Sequence, residues 1–186
     1  MRTIWSSLRL FIWMSVLTGV IYPLVITGIA HLAMKSKAQG SFIAFDGRFI
    51  GSSLIGQKFE EMQYFWSRPS AANYNPLPSQ ASNFGPTSAA LKKAVDARRK
   101  ALMRSHDITD KALIPSELVF ASGSGLDPHI SRRAAYFQIE RIAKARNMDK
   151  NVLKELVDSM VEERYFGFIG EPCINVLLLN IRLQGI

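Results

Sequence analysis

LFIWMSVLTGVIYPLVITGIA, from Leu10 to Ala30, runs without one formal charge, and the first acid in the chain is Asp46. A helix over 10–34 would reach roughly 37 Å, enough to cross a hydrocarbon core of about 30 Å with some tilt. The stretch is therefore expected to be a retained transmembrane helix. Two other readings stand beside it. One is a cleaved secretory signal, with Arg2 and Arg9 as its basic start and Gly28-Ile29-Ala30 as its exit; the other is a buried helix of a soluble domain. The apolar run is longer than the roughly 7–15 residues of a signal core, and Tyr22-Pro23 interrupts it. Pro23 lacks an N–H and frees one carbonyl, so a kink is expected there. Thr18, Gly19, Thr27 and Gly28 are small enough to admit a partner helix, or simply face lipid.

The net charge of +8 points to nucleic acid or anionic lipid only until it is apportioned. Arg2, Arg9, Lys35 and Lys37 flank the apolar run with no acid among them, and the rest of the 186 residues carry a modest excess of base. Those bases spread along predicted helix faces, so no nucleic-acid partner is expected. Basic residues stand on both sides of the span, and charge alone does not orient it. A single cysteine, Cys173, excludes an internal disulfide and leaves the compartment open.

The spacing predicts a short tail over 1–9, the span over 10–34 and one headpiece over 35–186. Ser41 to Phe59 reads as short strands, with Asp46-Gly47 as a hairpin turn. Tyr64 to Pro86 holds Pro69, Pro76, Pro78 and Pro86, which exclude a regular helix or central strand. Its aromatics, Tyr64, Phe65, Trp66, Tyr74 and Phe84, argue for burial and thus for an ordered, irregular surface. Three amphipathic helices follow. Ser88–Arg104 carries Leu91, Ala94, Val95, Ala101 and Leu102 inward, with Thr87 or Ser88 as cap. Ser131–Arg146 places Ala135, Ile139, Ile142 and Ala143 inward and stops at Asn147. Lys150–Val161, capped by Asp149, carries Val152, Leu153, Leu156, Val157, Met160 and Val161. Strands are predicted over Leu118–Ser122 and Ile174–Leu183, the latter from alternation of Leu177, Leu179, Ile181 and Leu183. The class is an α+β extracytoplasmic domain anchored by one N-terminal transmembrane α-helix, with the side of the membrane supplied by the family likeness below.

Ser122-Gly123-Ser124-Gly125, ahead of Leu126-Asp127-Pro128-His129, joins a predicted strand to a helix. Free amides at a helix N-terminus hold phosphate, but no lysine follows as in GxxxxGK[ST]. The loop reads as helix capping, partner contact or, last, nucleotide contact. Ser124, Asp127 and His129 are the residue types of a hydrolase triad, too crowded on one turn to align. His31, His106, His129 and Cys173 show no metal-ligand spacing, and no metal or catalytic residue is expected.

Several segments, in order, carry a likeness. They are Thr18–Leu24 (TGVIYPL), Gly51–Phe59 (GSSLIGQKF), Tyr64–Ala71 (YFWSRPSA), Ser82–Thr87 (SNFGPT), Ala121–Ser131 (ASGSGLDPHIS), Ala143–Asn147 (AKARN) and Gly170–Asn180 (GEPCINVLLLN). With them the chain resembles the KdpC family, the small single-span subunits of bacterial potassium-transporting P-type ATPase complexes, over nearly its whole length. Gln80-Ala81 stands where two glycines are common, and Cys173 where a basic or apolar residue is usual.

The resemblance implies a non-catalytic accessory subunit of an ATP-driven, high-affinity potassium import complex in the cytoplasmic (inner) membrane. It implies a role in assembly and as a catalytic chaperone that promotes ATP binding by the ATPase subunit. Implied partners are a channel-like potassium-translocating subunit, the P-type ATPase subunit and a small single-span subunit, with membrane lipid around the helix. The headpiece is implied to lie outside the membrane, over the ion entrance. No cofactor is expected to bind firmly; ATP enters only through a site shared with the ATPase subunit, to which Ser122, Gly123, Ser124 and Gly125 are the candidate contacts. Tyr64, Phe65, Arg68, Tyr74, Asn83, Asp127 and His129 are the candidate partner contacts. The alternative is a membrane-anchored extracytoplasmic binding or scaffold protein unrelated to potassium, with an anchored hydrolase behind it.

Overall fold

The computed structural model describes residues 2–45, 47–77 and 80–185. They form two compact units, Met1–Ser52 and Ser53–Ile186.

In the first unit, helices α1 (Arg2–Val16) and α2 (Tyr22–Ala33) are continuous through one wide π turn, Leu17–Ile21. The turn has a direct cause at Pro23. Pro23 has no N–H to bond the Gly19 carbonyl, and the Tyr22 amide reaches five residues back, to Leu17 O. The discontinuity expected at the proline thus takes the form of a π turn just before it. No described residue of this helix is buried, although a soluble helix so apolar would be. The short helix α3 (Lys35–Ala38) leads to strands β1 (Phe42–Phe45) and β2 (Arg48–Ser52), an antiparallel pair with an irregularity between Ile43 and Ala44. Phe42 and Phe49 meet edge to face at 6.1 Å. Gly47 takes φ +74° beside the turn, as the predicted hairpin needs, while Asp46 lies outside the described residues.

The second unit holds the core, made of apolar side chains between Phe65 and Leu183. Helix α4 (Ala89–His106) packs on α5 (Arg132–Arg146), α5 on α6 (Lys150–Ser159), and α6 on α7 (Val176–Gln184). Caps set the starts. Ser88 and Ser131 Oγ accept from Leu91 and Ala134 amides, and Asp149 and Asn175 side chains accept from Asn151 and Leu178. Asp107 and Asn147, both at φ 54°, end α4 and α5 in the left-handed conformation, and the amides of Ile108 and Met148 reach back to Met103 and Ala143.

The three predicted helices are present. Ala101 and Val152, expected inward, face outward instead. Both predicted strands are corrected. Leu118–Ser122 is no strand: a 3-10 turn covers Ser116–Leu118, and Ser122 N donates to Pro69 O, a loop partner. Of Ile174–Leu183 only Ile174–Asn175 is strand (β4), paired antiparallel with His129–Ile130 (β3). The remainder is α7. It buries Val176, Leu179, Asn180 and Leu183 as a helical stripe, with Leu177 buried beside it, and of the alternating residues Leu179 and Leu183 also fit that stripe. The described residues are α+β, with two small sheets.

Candidate functional site

Residues 62–66 are neither helix nor strand, so their backbone groups need partners from elsewhere. Side chains of α5 and α7 supply them. Arg141 donates to the carbonyls of Met62 and Tyr64, Arg146 Nε to Gln63 O at 3.0 Å, and Gln138 Oε1 accepts from Trp66 N at 2.7 Å. Asn180 acts as a peptide mimic, accepting from Phe65 N at 2.8 Å and donating to Phe65 O at 2.9 Å. Phe65 itself is 0% exposed. It is a core residue, not the surface contact that the sequence suggested.

Arg141 is buried with no carboxylate of the described residues bonded to it; its guanidinium lies 4.1 Å over the Trp66 ring and its Nε donates to His106 Nε2 at 3.3 Å. That contact requires a neutral imidazole protonated at Nδ1, which lies 3.0 Å from Leu102 O. Burial first, then the Arg141 charge, lowers the His106 pKa to about 4. Burial lowers Arg141 to about 10.

The irregular segment then delivers Arg68 to the glycine loop. Arg68 Nη1 bonds Asp127 Oδ2 at 2.8 Å, and Asp127 Oδ1 accepts the His129 amide at 3.0 Å with His129 Nδ1 3.7 Å away. Burial opposes ionisation of Asp127, but the hydrogen bonds from His129 and Arg68 outweigh it and hold the carboxyl at about 2. The Asp127 carboxylate beside the ring, working against burial, raises His129 above its ordinary value, helped by Glu162. Tyr74 O–H donates to Arg68 O at 2.6 Å, and its amide donates to Ser70 Oγ at 2.9 Å. Arg68, Tyr74, Asp127 and His129 thus form one node. Tyr64 is separate, its hydroxyl accepting from Gln184 at 2.9 Å and its ring 5.5 Å from the Arg146 guanidinium. Asn83 is exposed at φ 52°, apart from any contact described for the node.

The glycine loop is packed inward at Ser122 and Gly125, which are buried, and open at Gly123 and Ser124, which are exposed. Gly125 takes φ +70°, and a Cβ there would sit 3.0 Å from Gln80 O; a Cβ on Gly56 would sit 2.5 Å from Asp127 O. Three amides are committed: Ser122 N to Pro69 O, Gly125 N to Ser122 O, and Leu126 N to Ser124 Oγ. The helix that follows the loop starts where expected, capped by Ser131, with β3 between the glycines and the cap. Glu117, unnoticed in the sequence, accepts both the amide and hydroxyl of Ser131 there. A carboxylate of the chain already stands where a phosphate would bind.

Fold and site define a class of protein: a long apolar N-terminal helix followed by a small headpiece in which Gln138, Arg141, Arg146 and Asn180 hold irregular backbone. A family described as "KdpC: K+-transporting ATPase, c chain" matches residues 4–185. A relative from Geotalea uraniireducens called "Potassium-transporting ATPase KdpC subunit" is 48% identical, covering 99% of this chain and 98% of its own length. Relatives of the same description from Methylococcus capsulatus and Citrifermentans bemidjiense are 47% and 46% identical, over 97% and 100% of this chain and 96% and 98% of their own. The chain belongs to the KdpC family.

Proposed function

We propose that this chain is an accessory, non-catalytic subunit of an ATP-driven potassium import complex of high affinity. The observation that carries the reading is a family match that runs through the apolar helix as well as the headpiece. Helix Arg2–Ala33, about 48 Å long, anchors the chain in the cytoplasmic membrane as its single span, with the headpiece on the extracytoplasmic side. Its partners are the channel-like potassium-translocating subunit, the P-type ATPase subunit and a small single-span subunit.

The hairpin after α6 supports a docking role. Glu162 pairs with Cys173 at its base and Tyr165 with Ile169 at its tip, where Tyr165, Phe166 and Phe168 are 73%, 87% and 75% exposed. Apolar side chains crowded on one exposed tip are what a subunit interface covers. The chain promotes ATP binding by the ATPase subunit through assembly, a reading supported by two of the four loop amides, those of Ser122 and Gly125, being already bonded within the chain.

Deleting the gene is expected to abolish growth at micromolar potassium, and unchanged growth would leave the unrelated anchored scaffold as the better reading. Phe166→Ser with Phe168→Ser is expected to lower co-purification of the channel-like subunit several-fold, with the headpiece's unfolding midpoint unchanged. Titration of ATP into the full chain in detergent is expected to give no saturable heat; clear binding would restore the loop as a nucleotide site.

A further inference from the structure

His129, Glu162 and Cys173 lie far apart in sequence, and strand register brings them together. Glu162 and Cys173 oppose each other in an antiparallel bridge, with amide-to-carbonyl distances of 2.8 and 3.1 Å. Residues directly opposed in such a pair send their side chains to the same face. His129 faces Asn175 in the β3–β4 pair, two residues along from Cys173, so Cys173 and His129 are diagonal neighbours on one face. The outcome is a cluster in which one nitrogen, one carboxylate oxygen and one sulfur all lie within 4.8 Å of one another.

We propose that His129, Glu162 and Cys173 form a transition-metal site of the zinc class that fastens the base of the Glu162–Cys173 hairpin to the glycine loop. The donor set selects the ion. Thiolate and imidazole suit Zn²⁺ and its neighbours, whereas potassium and magnesium take oxygen donors. Three protein ligands leave a fourth, solvent position. Zinc bonds of about 2.0–2.3 Å put tetrahedral ligand atoms roughly 3.3–3.8 Å apart, so the cluster needs to close by about 1.5 Å at most. Glu162 is exposed and free to make that movement. Behind the imidazole stands Asp127, Oδ1 3.7 Å from Nδ1 and itself tied to Arg68, the carboxylate that orients a ligating histidine. Binding displaces the thiol proton of Cys173, which burial and then the Glu162 and Asp127 charges hold more firmly than usual. The inference stands on this geometry alone and is independent of the potassium reading.

The test uses the full chain in detergent, purified without a polyhistidine tag, with Co²⁺ as the spectroscopic probe and Zn²⁺ as competitor. One equivalent of Co²⁺ is expected to give a sulfur-to-cobalt charge-transfer band that Zn²⁺ abolishes. Cys173→Ser is expected to lose the band, and His129→Ala and Glu162→Gln each to weaken Zn²⁺ at least about ten-fold. Glu162→Gln alters only an exposed side chain, so its folding is secure even where the other two variants fail. Absence of the sulfur band in the parent chain, or Zn²⁺ affinity unchanged in Glu162→Gln, would overturn the site.

Discussion

Arg141 and His106 show how single side chains set the acid limit of the headpiece. His106 accepts a hydrogen bond from Arg141 through Nε2 and stacks on Phe137 at 4.4 Å, so a proton on Nε2 would face a guanidinium. Its folded pKa of about 4 lies below its ordinary 6.5. Between those values the unfolded chain binds a proton that the folded chain refuses, so stability falls as pH drops through that window. The loss is at most about 3 kcal/mol over the whole window. His106→Gln keeps an acceptor for Arg141 but has no proton to take. Urea unfolding at stepped pH is expected to show a stability slope in the parent that is absent in the variant; identical slopes would refute the assignment. His129 works with the opposite sign. Asp127 raises its folded pKa, so its contribution is complete below 6.5 and fades as pH rises through the higher value. Asp127 itself contributes above its ordinary 3.8, and that contribution goes as pH falls towards about 2.

At the scale of elements, helix α7 earns its burial by what Asn180 does for Phe65. Asn180→Leu keeps the volume but leaves one buried amide and one buried carbonyl of Phe65 unpaired, a cost of about 3 kcal/mol. A drop of less than about 1 kcal/mol in chemical denaturation would mean that segment 62–66 finds other partners. The same helix marks the limit of what the chain's pattern discloses. Leu179 and Leu183, four apart, satisfy both a period of two and a helical period, and the deciding signal was Asn175, a cap residue placed just ahead of Val176. Helices α4 to α6 were legible because Ser88, Ser131 and Asp149 mark their starts and stripes of apolar residues face inward. Of the candidate site, Arg68, Tyr74, Asp127 and His129 do meet. Glu117, Gln138, Arg141 and Asn180 escaped notice for one reason: each acts on backbone remote in sequence, which no local periodicity records.

At the scale of the whole molecule, the division between Ser52 and Ser53 separates two kinds of sequence. Residues 2–33 form a helix that buries none of its described side chains, whereas the buried apolar cluster from Phe65 to Leu183 lies wholly in the second unit. Among the described residues, the buried apolar cluster and the side chains bonded to residues 62–66 all come from Ser53 onward, as in a unit with its own core. The fragment 53–186 is therefore expected to be soluble without detergent and to unfold cooperatively, with a midpoint within a few degrees of the headpiece transition in the full chain. The full chain, carrying the uncovered helix, is expected to sediment with membranes and to resist extraction by salt or carbonate. Thermal denaturation followed by near-ultraviolet dichroism of Trp66, which the Arg141 guanidinium covers at 4.1 Å, measures the first expectation. A fragment that aggregates or melts without cooperativity would mean that the first unit supplies contacts on which the headpiece's stability depends.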